Sequence, residues 1–314
     1  MPGFLTHYIA GQAVLNSIDP KISAVIHKGE RLYNLGTQGP DIFFYYLPGI
    51  IRKRSRDIGS QMHKNDLGLF LARMAHLAKK SPKGERDVIF AYTAGIVMHY
   101  MVDVHAHPYV YSQAHNADAA GLANSAYHRH FETSIDTALL KLVSGKKPAD
   151  YSQWELIKAD VCQLVVAAKA MSLAVKLVYD RTIPPQDVFH AMRHMIQLTR
   201  VLRSRKGRRK KWMAVIEHLT VGEPIFSSMI HDQQIDDGVD YLNEQKRPWR
   251  APWQVEELCT DSFIDRYNAA VGEGLELVEA LYAYVYDGLP LKELGKKLGN
   301  RCLQTGAPCC TIQW

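Results

Sequence analysis

An all-α bundle, with helices joined by long connecting loops, is the fold class predicted by this sequence of 314 residues. Three observations predict it. Apolar residues recur at three-and-four spacing along most of the chain. Few segments alternate with period two, the pattern a half-buried strand needs. Gly and Pro punctuate the periodic stretches at Gly39-Pro40, Pro48-Gly49, Ser81-Pro82, Pro108, Pro184-Pro185, Gly222 to Pro224 and Pro248 to Pro252. A chain that is 47% hydrophobic and 22% charged is neither largely disordered, nor collagen-like, nor a small disulfide scaffold. No internal repeat or low-complexity linker divides it, so residues 1–314 read as a single domain.

The expected helices, in order, are 60–80, 85–107, 124–144, 154–181, 185–203, 210–219 and 262–287. Thr6 is a candidate helix N-cap just before His7. Another helix should begin past Pro40, which would place Asp41 in a first turn favoured by the helix dipole. The stretch 85–107 reads as a buried helix stopped by Pro108. His99 and Asp103 interrupt its apolar run, and no transmembrane helix is expected. The opening MPGFLTHYIAGQAVLNS has no basic segment followed by an apolar one, so no secretory signal is expected and the location reads as cytoplasmic. Cys162, Cys259, Cys302, Cys309 and Cys310 are odd in number and irregular in spacing, which does not make a disulfide framework. The last three read as free thiols in a loose tail rather than as metal ligands.

The net charge of +6 decides little, but its distribution is uneven. Arg52, Lys53, Arg54 and Arg56 form one basic cluster; Arg203, Arg205, Lys206, Arg208, Arg209, Lys210 and Lys211 form another. Each reads as a solvated loop, with phosphate contact as the alternative. The acidic stretch DQQIDDGVD (232–240) likewise reads as a solvated loop.

Histidine is the compositional outlier. Of 14 histidines, 10 fall in the first 132 residues. His99, Asp103 and His107 are spaced i, i+4 and i+8. At about 100° per residue they share a stripe roughly 80° wide, while His105 falls on the far side. His128 and Glu132 repeat the i, i+4 spacing on a second helix, and His130 points away. Imidazole and carboxylate one turn apart suit a zinc ion, with ligand bonds of about 2.0–2.2 Å. A single such pair is more commonly a satisfied core contact; several on apolar helices are costly to bury unless something pairs them. His7, Asp41 and His63 supply further candidates. His190 and His194 also lie i, i+4, but no acid shares their stripe, and they are set aside.

The motifs THYIAGQ, QGPDIFFYY, MH, HYMVDVHAHP and HRHFETSID, in this order, resemble the zinc-dependent phospholipase C family. With the single-strand nucleases of the S1/P1 type it forms one all-α superfamily with a trinuclear zinc site. The motifs cover about residues 1–140, and YLNEQKRPWRAPW (241–253) resembles a later family segment. The resemblance implies up to three zinc ions. Asp41, His63, His99 and a bridging Asp103 would hold one; His107, His128 and Glu132 a second; His7, Asp103 and the N-terminal residue a third. Removal of the initiating Met would make that residue Pro2, with a free secondary amine. The family's bridging Asp is usually followed six residues later by the next His, whereas Asp103 to His107 is four.

Bound zinc ions lower the pKa of water towards neutrality and clamp phosphate oxygens. The resemblance therefore implies hydrolysis of a phospholipid or related phosphodiester, with Asp41 orienting or deprotonating the attacking water, and peripheral contact with a membrane surface. Tyr45, Tyr46, Tyr100, Tyr109 and Phe131 are candidates for the cleft wall, although an aromatic at helical spacing is more commonly a core residue. The runner-up is a single-strand nuclease using the basic clusters and stacking aromatics. A third reading is a metal-stabilised, non-catalytic scaffold, against which the full ligand set argues.

Overall fold

The computed structural model describes residues 3–46, 54–118, 124–203, 210–213, 215, 227, 230–232, 234–236 and 238–309, with the backbone alone at 54–56, 115–118 and 124–126. Among these residues the fold is all-helical, and the only sheet-like pairings are isolated bridges between Trp249 and Cys259 and between Arg301 and Pro308.

The chain runs through α1 (Phe4–Ser17), α2 (Pro20–His27), α3 (Glu30–Gly36), a 3₁₀ segment (Gly39–Tyr45), α4 (Arg54–Lys64), α5 (Leu67–Lys80), α6 (Lys83–Asp118) and α7 (Asn124–Ser144). It continues through the single turn α8 (Gln153–Leu156), α9 (Val161–Tyr179), α10 (Pro185–Leu202), α11 (Phe263–Tyr286) and α12 (Leu291–Leu298). Local chemistry sets several boundaries. Asp19 accepts from the Lys21 amide ahead of α2, and Asp160 from the Cys162 and Gln163 amides ahead of α9. Ser262 and Asp265 form a reciprocal capping box at α11. Asp66, at φ 60°, separates α4 from α5.

Helix α6 is the axis of the bundle, packed by α11, α3, α5 and α7. It and α9 are long and apolar enough to cross a membrane by composition. The most apolar stretch of α6 is nevertheless 89% buried inside this protein, as a core helix requires; that of α9 is 39% buried. Helix α3 lies unusually close to α6. A Cβ on Gly95 would sit 2.2 Å from the Tyr33 carbonyl oxygen, and one on Gly36 would sit 2.4 Å from that of Tyr92. Only glycine permits this approach. It draws the 3₁₀ segment that follows α3 against α6.

Several sequence expectations change. Pro108 does not stop α6, which continues to Asp118. Pro108 has no N–H to offer the Val104 carbonyl, and that oxygen instead faces Gly306, where a Cβ would lie 2.6 Å away. The expected helix 60–80 begins earlier, at Arg54, and breaks at Asn65–Asp66; 154–181 breaks before Asp160. Of 210–219, residues 210–213 and 215 are helical and the rest lie outside the described residues. Thr6 is not an N-cap: Gly3 occupies that position and Thr6 lies within α1. Helix α1 shows no clear apolar stripe because Phe4, Leu5, Thr6, His7, Ile9, Ala10, Gly11, Val14 and Leu15 bury more than one face. Helices α2, α3 and α12 are only seven or eight residues long, shorter than the stretch over which helical periodicity is read.

Candidate metal centre

Four elements converge on one buried cluster. Helix α1 brings His7, the 3₁₀ segment Asp41, α4 His63, and α6 brings His99, Asp103 and His107. All six side chains are buried. Asp103 lies at the centre. Its Oδ1 is 3.3 Å from His7 Nε2 and 3.8 Å from His107 Nε2. Its Oδ2 is 3.1 Å from His99 Nε2 and 3.8 Å from His63 Nε2. Asp41 Oδ1 faces His63 Nε2 at 3.1 Å. On α7, His128 Nε2 and Glu132 Oε1 are 2.8 Å apart.

The donor atoms fall into three groups in which all ligating atoms lie within 4.8 Å of one another: His7, His99 and Asp103; Asp41, His63 and His99; and His107, His128 and Glu132. The groups adjoin, since His99 belongs to two of them and Asp103 reaches towards His107. Helix α6 carries His105 away from the cluster to Glu273 Oε2, at 2.8 Å. The short Asp103-to-His107 spacing therefore still delivers His107 to the centre: both lie on one stripe of a helix that persists beyond Pro108.

Hydrogen bonding tests whether these groups suit a cation. His63 Nδ1 lies 2.6 Å from the Gly59 carbonyl, His99 Nδ1 3.2 Å from that of Thr37, and His107 Nδ1 hydrogen-bonds that of Leu303. A carbonyl only accepts, so each Nδ1 carries a proton and each ring turns its Nε2 inward, where a metal ion can take it. Those three Nε2 atoms, His7 Nε2, Asp41 Oδ1 and both Asp103 oxygens are buried without a hydrogen-bond partner. Four imidazole Nε2 atoms thus converge on two carboxylates, Asp41 and Asp103. A divalent cation satisfies such an array more fully than the long contacts among its members.

Electrostatics agree. Burial pushes His7 down, and His99 adds to the shift. Burial also lowers His107, to about 3, against the pull of Asp103. Burial opposes ionisation of Asp103 and Glu132, but adjacent histidines outweigh it. His107 and His99 hold Asp103 well below the usual carboxylate range, and His128 helps bring Glu132 down to about 2. Burial likewise disfavours the charge on His99, yet Asp103 and Asp41 prevail and raise it. Ionised carboxylates with neutral His7 and His107 are ready to bind metal.

The C-terminal segment is part of the centre rather than a loose tail. The Leu303 amide donates to the His63 carbonyl at 2.9 Å, and the Leu303 carbonyl receives the His107 ring. The Cys302 and Cys309 thiols face the carbonyls of His63 and Lys64. Cys310, Pro2, Arg52, Lys53, Arg205, Lys206, Arg208 and Arg209 lie outside the described residues, as do the side chains of Arg54 and Arg56. In the second basic cluster, Lys210 pairs with Asp232 at 2.5 Å, which ties part of the acidic stretch down.

Of the expected cleft aromatics, Tyr100, Tyr109 and Phe131 belong to the core. Tyr100 Oη accepts from the Arg301 amide, Tyr109 donates to the Tyr241 carbonyl, and Phe131 packs on Tyr109 and Tyr241. Tyr46 is buried too and donates to Asp187. Tyr45 lies close enough to Asp41 and Glu132 to feel their charge. Sequence reasoning missed Tyr111, whose ring lies 4.8 Å from His128, 5.5 Å from His107 and 5.5 Å from the half-exposed Trp253. It also missed Asp136 on α7. Both were within reach of the spacing argument, because Tyr111 follows His107 by four residues and Asp136 follows Glu132 by four.

An all-helical frame surrounds three adjoining nitrogen-and-carboxylate groups, each able to hold a metal ion. The family model for zinc-dependent phospholipase C matches residues 6–180, more than half of the chain, and the protein belongs to that family of phosphoester hydrolases. No curated protein and no solved structure matches the chain.

Proposed function

We propose that the protein performs phospholipase C-type cleavage of a phospholipid or a closely related phosphodiester. The buried array of inward-facing Nε2 atoms around Asp103 carries this reading. Asp41, His63, His99 and Asp103 would hold one zinc, and His107, His128 and Glu132 a second. His7 and Asp103 would hold a third with Pro2, whose amine would complete the site once the initiating Met is removed. Zinc bound there supplies Lewis acidity and lowers the pKa of water.

The chain's own groups do the rest. Asp41 takes the proton of the attacking water. The Nδ1–carbonyl contacts of His63, His99 and His107 keep three rings oriented. Tyr45, Tyr111 and Trp253 line the substrate side, where the aromatic edge leads from the buried centre to solvent at Trp253.

Activity on phosphatidylcholine vesicles, on bis(p-nitrophenyl) phosphate and on single-stranded DNA, each with and without chelator, tests this reading. Chelator-sensitive lipid cleavage is the expected result. Cleavage of DNA alone would make the protein a nuclease. No turnover by zinc-loaded protein would make it a scaffold.

A further inference from the structure

His7 differs from the other three histidines facing Asp103. His63, His99 and His107 are each fixed by a carbonyl at Nδ1. Neither ring nitrogen of His7 has a hydrogen-bond partner. Besides the 3.3 Å approach of its Nε2 to Asp103, its position rests on a stack on His99, at 4.4 Å between centroids, and on the backbone of the first turns of α1. That helix begins at Gly3 with no side-chain cap of its own. Its first amides are nevertheless satisfied, by a carboxylate from another helix.

Asp136, fully buried on α7, reaches across to the start of α1. Its Oδ2 accepts from the Leu5 amide at 2.9 Å. Its Oδ1 accepts from the Thr6 amide at 2.8 Å and the Thr6 hydroxyl at 2.6 Å. His231 Nε2 contacts Oδ2 at 2.6 Å, and Gln153 Nε2 faces His231 Nδ1 at 3.2 Å. The Gln153 amide group donates, so His231 Nδ1 accepts and His231 Nε2–H is the donor to Asp136. The carboxylate thus has four donors and sits at the positive end of the α1 dipole, which is how a buried charge is kept there. Contact is so close that a Cβ on Gly3 would lie 2.2 Å from Asp136 Oδ2. Asp136 also lies one turn beyond Glu132 and two beyond His128. One stripe of α7 therefore carries two donors of the centre and the clamp on the helix that supplies His7.

We propose that Asp136, oriented by His231, is a positioning residue for the ion at His7: it locks the first turn of α1 so that His7 Nε2 meets Asp103. This rests on the reading of His7 as a zinc ligand. The test compares full-length Asp136→Asn and His7→Ala proteins with their native N-terminus intact. Zinc content is measured by elemental analysis, and affinity by competition with a chromophoric chelator. Each variant is expected to lose or weaken the same single ion, by about 10–100-fold in affinity for Asp136→Asn. The other ions should be unaffected, and the double variant should lose no more than His7→Ala. Thr6→Val removes one of the four bonds and should weaken that ion by a smaller factor, with the metal-free melting temperature near that of the parent protein; it carries the test if Asp136→Asn does not fold. A purely structural Asp136 would lower the melting temperature and leave every zinc affinity unchanged, which overturns the proposal. Full zinc retention by His7→Ala would overturn both the proposal and the reading beneath it.

Discussion

Removing the metal should destabilise this protein far more than it would a protein with a peripheral ion. Seven buried atoms facing the centre have no hydrogen-bond partner: His7 Nε2, Asp41 Oδ1, His63 Nε2, His99 Nε2, both Asp103 oxygens and His107 Nε2. A buried polar atom left unsatisfied costs about 1–3 kcal/mol. Even at the low end the metal-free centre carries a penalty of about 7 kcal/mol, comparable with the total stability of about 5–15 kcal/mol of an ordinary domain. Protonation of His99, whose pKa Asp103 and Asp41 raise against burial, relieves part of it in the metal-free protein, so the low end is the appropriate figure. For a chain of this size about 1 kcal/mol moves the melting temperature by roughly 2 °C. Chelation should therefore lower Tm by about 15 °C, and added zinc should restore it. Calorimetry of the native protein, of chelated and dialysed protein, and of protein reloaded with zinc measures this directly. A shift below about 3 °C would refute the argument, because the converging atoms would then be satisfied without a cation.

Other outcomes follow from single residues. Because Asp41 is both a proposed ligand and the proposed base, Asp41→Asn should weaken one zinc ion and, measured in zinc-saturated protein, still lower kcat by about 10²–10⁴-fold, as expected on loss of a general base; full recovery of activity on zinc saturation would make Asp41 a ligand only. Gly95→Ala places a Cβ 2.2 Å from the Tyr33 carbonyl oxygen and 2.8 Å from the Gly36 Cα. It should cost about 3 kcal/mol in urea unfolding, and a neutral result would contradict the tight α3–α6 crossing. The hydrogen bond with His105 holds Glu273 below its ordinary value of 4.5; burial opposes the shift and Arg301 supports it. A depressed carboxylate pKa stabilises the fold above the unfolded value and loses that contribution as pH falls through the folded one. Glu273→Gln should accordingly lower stability at pH 7 by no more than about 1 kcal/mol, given that the carboxylate is a third exposed and screened. The difference should shrink as pH falls below the ordinary carboxylate range, and a deficit independent of pH would contradict the assignment.

What the sequence reveals here follows the physics of each signal. The stripe of His99, Asp103 and His107 was legible because a helix converts spacing into direction, and His105 was excluded on the same ground. The pairing of His128 with Glu132 followed the same rule. Helix α1 was harder to read, because a segment buried on more than one face shows no polar stripe to set its period. The continuation of α6 past Pro108 depends on Gly306, nearly two hundred residues downstream, lying against the carbonyl that proline leaves without its usual partner. Leu303 acts through its backbone, so its side-chain identity gives no hint that it fixes His107 and engages His63. Tyr100 and Tyr109 follow the commoner reading of an aromatic on a buried helix, that it belongs to the core; sequence alone does not separate such a residue from one that faces a substrate.

The central claim is that the donor groups around Asp103, together with the group on α7, hold three zinc ions side by side. Elemental analysis of purified, tag-free protein with its native N-terminus preserved tests it most directly. The account predicts close to three zinc ions per chain. One ion or none, tightly held, would contradict it.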